Sequence, residues 1–537
     1  MKCQNSTRMM RHKIFSMMGA GLLMLTTWSC RQESDLLSAY DHKDNLVFAA
    51  ADTSFAAKFD LIWKGLNQNY CLWDYEREYG LDWDAVYDAF YPQFAALDKR
   101  DSVPDDELKD LMQKMLSPLH DHHMHIDVKN HKTGNTVVYM PGRERNTSRD
   151  DYMIGTTYKP SLRYYANVAN GEVETDGNDN AIAMEHSTSL NDLLTMFGQT
   201  PDMGLPWIKA KIQELQDKPS RTEMEDFLLQ QLNDLLDSIR QVASTLQGLD
   251  FINGWNSLQA KYSFLHIPGF DYIDPGFDER GIGINFALLK GNIAYLYISG
   301  FSLTPYLNDQ TSQKYFNVSH PTTQQHIVQI RQVWQAWFDT VQQLNKSGQL
   351  SGVILDVRGN TGGMVNDMQY FVGALTPSGG HQYGYQRYKR GSGRYDYSPL
   401  MPAICCTMST PHEIIDKPIV ILTNCWSVSM SEMSTRFIHD LSNGTHIGKR
   451  TWGGECPLAT NDDNSYNYSG HFGVAGVTSV FGYIPTVASF SNEKKIEESL
   501  GIEPDIEVDL DEALFKATGQ DTQLDRALQF IRGGGVK

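Results

Sequence analysis

The chain has 537 residues, of which 41% are hydrophobic, 21% charged and 11% aromatic. That balance excludes collagen, coiled coil and wholesale disorder, and the length points to about three to four domains. Lys and Arg number 46 against 65 Asp and Glu, a net charge of −19, so a phosphate backbone is repelled and no nucleic-acid partner is expected.

Lys2, Arg8, Arg11 and Lys13 precede an apolar run from Ile14 to Thr27. The run suits the core of a secretory signal and is too short for a stable membrane span. Thr27-Trp28-Ser29-Cys30 follows, and then the polar Arg31-Gln32-Glu33-Ser34-Asp35. A small residue before a cysteine at this point resembles a bacterial lipobox. That resemblance implies cleavage before Cys30 and a lipid thioether on its sulfur. The product would be a lipoprotein anchored to a membrane of the cell envelope, facing the periplasm or the cell surface. The alternative is an ordinary secretory signal with a chance cysteine. Beyond Cys3 and Cys30, the cysteines are Cys71, Cys405, Cys406, Cys425 and Cys456. An odd set in a large chain is no disulfide framework, though one bridge is possible.

Residues 30–50 are polar and read as a tether. Residues 51–126 read as a helical bundle. Phe55, Phe59, Ile62, Leu66 and Tyr70 recur at helical spacing. Asp82 is placed to cap a second helix running through Phe90, and Pro104 suits the first turn of a third. Residues 127–280 form a middle region of unassigned role: short strands and loops to about residue 200, then a helix over Glu223–Val242. Residues 281–537 change character. Strands are predicted over Ile282–Leu289 and Asn292–Ile298 around the Lys290-Gly291 turn, a helix over Gln325–Leu344, and buried strands at Val353–Val357 and Ile419–Leu422. Strand, helix, strand in this order predicts an α/β domain with a parallel sheet.

Four constellations carry candidate chemistry. In Asp356-Val357-Arg358-Gly359-Asn360-Thr361-Gly362-Gly363 a strand ends in a glycine-rich turn leading to a helix from about Met364. Exposed N–H groups there can hold an anion; the bland reading is a tight connection with Asp356 and Arg358 as a structural ion pair. Ser427-Val428-Ser429-Met430-Ser431-Glu432 places three serines where a second helix begins. A serine there gains from the helix dipole, but serine is also a common N-cap. His120-Asp121-His122-His123-Met124-His125 offers a general base or, alternatively, zinc ligands. In Glu497-Glu498-Ser499-Leu500-Gly501 a carboxylate precedes a turn, and the bland reading is a solvated acidic loop.

In order along the chain, the matches Leu119/Asp121/His123, Asp356/Arg358/Asn360/Gly362/Gly363, Asn424/Ser429/Glu432, Gly448/Thr451/Gly453/Gly454 and Glu498/Gly501/Pro504/Asp505 resemble the S41 serine peptidases, the C-terminal-processing and tricorn-core family. The resemblance implies a ClpP/crotonase-like α/β catalytic domain behind an N-terminal helical bundle. It implies hydrolysis of peptide or protein substrates with no cofactor and no metal. In the tricorn-like branch Ser429 would be the nucleophile, His123 the base and Glu498 the supporting carboxylate. The N–H of Met430, with that of Gly362 or Gly363, would form the oxyanion hole. The family's other branch uses a lysine base, for which Lys449 is the nearest candidate, although Gly454 stands at the family position. A non-catalytic peptide-binding lipoprotein is the rival from another class. No PDZ-like insertion is recognisable in residues 127–280.

Overall fold

The computed structural model describes residues 54–155, 158–167, 171–175, 182–187, 204–245, 248–265, 267, 282–316, 318–376, 380–390, 393–405, 408, 410–457, 469–472 and 479–535. The signal-like segment, Cys30 and the tether lie outside the described residues. Among the described residues no helix is long and apolar enough to cross a membrane.

The N-terminal region is helical: α1 (Phe55–Asn69), α2 (Trp73–Glu78), α3 (Trp83–Asp98) and α4 (Asp105–Leu116). Ser54 caps α1 through its hydroxyl, and Asp82 caps α3 by accepting from the N–H groups of Asp84 and Ala85. The spacing read from the sequence holds: Phe55, Phe59, Ile62 and Leu66 are all buried. α3 outruns the predicted end at Phe90, because Pro92 lies on its exposed side, where water can serve the freed carbonyl. The pair β1 (His125–Lys129) and β2 (Thr136–Tyr139) follows. β1 pairs antiparallel with β12 (Val480–Pro485), which itself pairs with β11 (Ser469–Phe472). The bundle therefore shares one core with the C-terminal half: Leu119, Met124 and Ile126 pack with Cys456, Val480 and Ile484.

A seven-stranded mixed sheet holds the second half together. Its order is β14 (Ile506–Glu507), β10 (Gly444–Gly448), β9 (Ile419–Thr423), β6 (Gly352–Asp356), β5 (Ile293–Ile298), β4 (Gly283–Leu289) and β3 (Ala183–Ser187). The run from β14 to β5 is parallel, and β4 and β3 are antiparallel additions. Both faces are covered, as a parallel sheet requires. Val353 and Leu355 of β6 join Ile330, Trp334 and Trp337 of α8 (Pro321–Lys346) on one face. Ile354, one residue out of phase, joins Leu524, Leu528 and Ile531 of α10 (Thr522–Arg532) on the other. Between these halves, α5 (Leu205–Gln216), α6 (Glu223–Thr245) and α7 (Gly248–Tyr262) pack around a core of their own, with Ile208, Leu232, Leu235 and Trp255 at its centre. A three-stranded sheet orders β13 (Val487–Phe490), β7 (His381–Tyr388) and β8 (Met401–Cys405).

One element differs from expectation. After Gly363 the chain forms a short 3₁₀ turn, Val365–Tyr370, in place of an α-helix. Asp367 inside it accepts from the N–H groups of Leu303 and Thr304 and from the Thr304 hydroxyl, which pins the segment against the chain leaving β5.

Candidate active site

The parallel strands β6 and β9 end side by side, so the glycine loop after β6 and the serine turn after β9 meet at one rim of the sheet. Ser429 is the N-cap of α9 (Met430–His439), with φ 59° and ψ −114°. A positive φ at a non-glycine residue costs about 1–3 kcal/mol and persists only where the surroundings impose it. Here they do. The carboxylate of Glu432, fully buried, accepts four hydrogen bonds: from the N–H of Ser429 (3.1 Å), the hydroxyl of Thr451 (2.7 Å), and the N–H groups of Gly453 (2.7 Å) and Gly454 (2.8 Å). Burial pushes the Glu432 carboxyl up, and the same four bonds pull against that shift.

The three serines separate cleanly. Ser427 is buried and donates to the carbonyl of Val357 at 2.8 Å; Ser431 is buried and donates to the carbonyl of Asn360 at 2.7 Å. Both hydroxyls serve to fasten the turn to the glycine loop. Ser429 alone of the three is partly exposed. The sequence pattern, read as an extended segment, puts all three on one side. The turn breaks that alternation and leaves Ser427 and Ser431 on the inner side.

His123 approaches from the bundle. Its N–H, like that of Met124, donates to Oδ1 of Asp121. Its Nδ1 lies 2.9 Å from the carbonyl oxygen of Cys456. A carbonyl only accepts, so Nδ1 carries the proton and Nε2 keeps its lone pair. That is the tautomer a general base needs. Gly454 lies between the two sides: a Cβ there would meet Val428 Cγ1 at 3.4 Å and His123 Cβ at 3.6 Å.

Glu498 does not bond the imidazole by any contact in the described residues. Its Oε1 accepts from the N–H of His122 at 2.9 Å and its Oε2 from the N–H of Cys456 at 2.7 Å. It clamps the chain beside His123 to the chain that orients the His123 ring. Burial drives its carboxyl well up, with the nearby Cys456 and Asp121 adding to the rise.

The glycine loop reaches Ser429 at close range. A Cβ on Gly362 would lie 2.6 Å from Ser429 Cβ and 3.1 Å from the Met430 nitrogen, and one on Gly363 would lie 2.1 Å from the Phe301 carbonyl oxygen. Only glycine fits either place. Of the two candidate N–H groups, that of Gly362 is engaged: it donates to Oδ1 of Asn360 at 2.9 Å. This removes Gly362 as a free donor and leaves Gly363 beside Met430. Asn360 also donates to the Ile298 carbonyl, and its own carbonyl accepts from Val428. The loop is thereby tied to β5 and to the serine turn.

The remaining sequence candidates have structural partners. Arg358 is fully buried, pairs with Asp356 and Asp521, and stacks on Tyr158 at 4.2 Å. The bland reading of that pair is the right one: it joins the end of β6 to the N-cap of α10. The four histidines of the cluster diverge. His120 bonds Glu76, His122 bonds the Trp452 carbonyl, His123 bonds Cys456, and His125 packs on Phe481 and Tyr483. Burial lowers His122 and His125 to about 4, so both are neutral near pH 7. Among the described residues no group of His, Cys, Asp and Glu converges as a metal site. Lys449 is bonded to Asp150, Glu507 and Asp509 at the surface. Partial burial lowers its pKa, but the bonds to Asp509 and Glu507 and the charge of Asp150 outweigh this and favour the protonated form. Sequence reading missed the carbonyl of Cys456, because no side-chain pattern marks a backbone acceptor. It had Glu432 as a motif match without a role.

Several solved structures are similar to the chain at low identity. A Parabacteroides merdae protein described as a candidate peptidase is 15% identical, with a TM-score of 0.43, over 89% of this chain and 97% of its own. Mature CPAF is 11% identical with a TM-score of 0.43, over 90% of this chain and 98% of its own. The tricorn protease is 20% identical with a TM-score of 0.26, over 45% of this chain and 18% of its own. No curated protein matches the chain. The family model of peptidase family S41 matches residues 292–508. This stretch, from β5 to the end of the parallel sheet, with the glycine loop, Ser429 and Glu498 inside it, is where the chain matches peptidase family S41.

Proposed function

We propose that the protein is a serine endopeptidase that cleaves peptide bonds through an acyl-enzyme on Ser429. The observation that carries this reading is the strained, partly exposed Ser429 at the head of α9, fastened through Glu432 and Gly454 to the segment where His123 lies with its Nδ1 held by the Cys456 carbonyl. His123 would take the proton from the Ser429 hydroxyl as it attacks the scissile carbonyl and return it to the leaving amine. The N–H groups of Met430 and Gly363 would receive the oxyanion, and the N-terminal end of α9 adds its dipole. Glu498 would hold the base in place through the main chain. The chain would act outside the cytoplasm, anchored by a lipid on Cys30.

The test is labelling with a fluorophosphonate together with hydrolysis of fluorescein-labelled casein. Both should be present in the wild type and lost in Ser429→Ala, a fall on the order of 10⁶-fold for a nucleophile in a cooperative set. Casein binding without turnover, and labelling unchanged in Ser429→Ala, would favour a peptide-binding role instead. For the anchor, Cys30→Ala should shift the protein from the membrane to the soluble fraction; an unchanged membrane fraction would overturn it.

A further inference from the structure

Arg436 lies on α9, two turns beyond Ser429, and only 3% of it is exposed. Its Nη2 bonds Glu455 Oε2 and, at 2.6 Å, Glu497 Oε2. Glu455 is itself buried, and Glu497 is about one third exposed. Each of these carboxylates is the chain neighbour of a residue in the clamp: Glu455 precedes Cys456, and Glu497 precedes Glu498. Among the described residues, Nε and Nη1 of Arg436 have no hydrogen-bond partner, and neither has Oε1 of Glu455. A buried ion pair is poor evidence of stabilisation even when its bonds are complete, because desolvation offsets the attraction. One with two donors and an acceptor unused is poorer still. An apolar residue of similar volume would suit folding better, so stability alone does not account for Arg436.

We propose that Arg436 is a positioning residue for the catalytic set. One guanidinium nitrogen ties the helix that carries Ser429 to both strands of chain that hold the base. On the Glu455 side, Cys456 orients Nδ1 of His123; on the Glu497 side, Glu498 holds the N–H groups of His122 and Cys456. The bracket fixes the distance between nucleophile and base from behind, without touching either or the substrate. The inference rests on the Ser429 and His123 reading given above and adds to it a residue that the motifs do not contain.

The bracket makes a prediction that separates alignment from folding. Misplacement of a catalytic group by about 1 Å costs on the order of 10²-fold in rate. Arg436→Lys keeps the charge but offers a shorter, single-point donor that cannot hold both carboxylates in the same geometry. Glu497→Ala removes the more exposed arm, which folding tolerates best. With a fluorophosphonate probe of Ser429, both variants should lose at least tenfold in the maximal labelling rate. The probe concentration for half-maximal rate should stay within about twofold. Glu497→Gln, which retains an acceptor, should recover part of the rate. Folded fraction is read by near-UV circular dichroism, and rates are expressed per folded molecule. A purely structural Arg436 would lower the melting temperature and leave the labelling rate of the folded fraction unchanged; that result overturns the proposal. If the wild type is not labelled at Ser429, the peptidase reading fails first and the bracket falls with it. If the wild type is labelled and both variants match its rate, the bracket alone is wrong.

Discussion

Glu498→Gln distinguishes two ways in which a carboxylate can serve a histidine base. Where the carboxylate bonds the imidazole directly, its amide enforces the wrong tautomer and costs on the order of 10⁴-fold. In this protein the tautomer is set by the carbonyl of Cys456, 2.9 Å from His123 Nδ1, and the substitution leaves that carbonyl in place. What the amide changes is the clamp. A carboxylate accepts from the N–H groups of His122 and Cys456 on its two oxygens. An amide has one oxygen to accept with, and its NH₂ faces the other N–H. A buried donor left without its acceptor costs about 1–3 kcal/mol. If that strain is relieved by displacement of the Cys456 segment, the barrier rises by a similar amount. At 1.36 kcal/mol per tenfold, the expected loss in kcat is roughly 5- to 150-fold. The assay is steady-state hydrolysis of labelled casein by the folded variant, with Ser429→Ala as the zero. A loss of 10⁴ or more would mean that Glu498 acts on the ring itself. No loss at all would mean that the clamp does not govern the position of the base.

Four further outcomes follow from the contacts. Ser427→Ala and Ser431→Ala should each remain active and lose about 0.5–1.5 kcal/mol in stability by chemical denaturation, because each removes one of two donors from a buried carbonyl and leaves the other, the N–H of Asn360 on Val357 and that of Val428 on Asn360; inactivity of either variant, with activity in Ser429→Ala, would move the nucleophile. Asp121 is buried, and its carboxyl is pushed up to about 7 from 3.8. Its contribution to stability is therefore complete below about pH 4 and fades as pH rises toward 7, at up to about 1.4 kcal/mol per unit. The melting temperature of Asp121→Asn relative to wild type should climb over that window and level above it, and a constant offset would refute the shift. Arg358→Met leaves the buried Asp356 and Asp521 without a counter-charge and should cost about 3–5 kcal/mol, measured by denaturant; near-neutrality would show the pair to be replaceable. Lys449→Ala should retain casein hydrolysis, and its loss would restore the lysine-base alternative.

The fold was legible wherever burial follows a simple period. The helices over Phe55–Asn69 and Pro321–Lys346 and the strands β4, β5, β6 and β9 lie where apolar spacing puts them, within a few residues, whereas β10 and β14 were not read. α3 runs past Phe90, where exposure lets Pro92 sit inside a helix. The middle region was legible only as one helix, because α5, α6 and α7 bury their faces against each other and carry no chemical motif. At the candidate site, the motifs name the residues but not their work. The turn after β6 reads either as an anion site or as a connection braced by Asp356 and Arg358, and the structure shows the brace. The histidine run reads as possible zinc ligands and splays to four separate partners. Three serines at alternating positions look equivalent until the turn geometry assigns two of them to backbone carbonyls.

The two buried glutamates show why such work escapes a pattern search. Glu432 and Glu498 accept six hydrogen bonds between them, five from backbone N–H groups and one from the Thr451 hydroxyl. None comes from the side chain of a residue that would do chemistry. A backbone N–H is present at every residue except proline, so the partners of such a carboxylate leave no mark on composition or spacing. Physically the arrangement is economical in motion. Each carboxylate offers two oxygens with several acceptor sites, so it can bind segments far apart in the chain at one buried point. Glu432 joins the serine turn to residues 451–454, and Glu498 joins residue 122 to residue 456. His123 and Ser429 come from segments about 300 residues apart, beside separate hydrophobic cores. Apolar packing is non-directional and would leave such elements free to slide against one another. Directional bonds to buried charge hold a fixed register between them, at a desolvation cost that a purely structural junction would have no reason to bear.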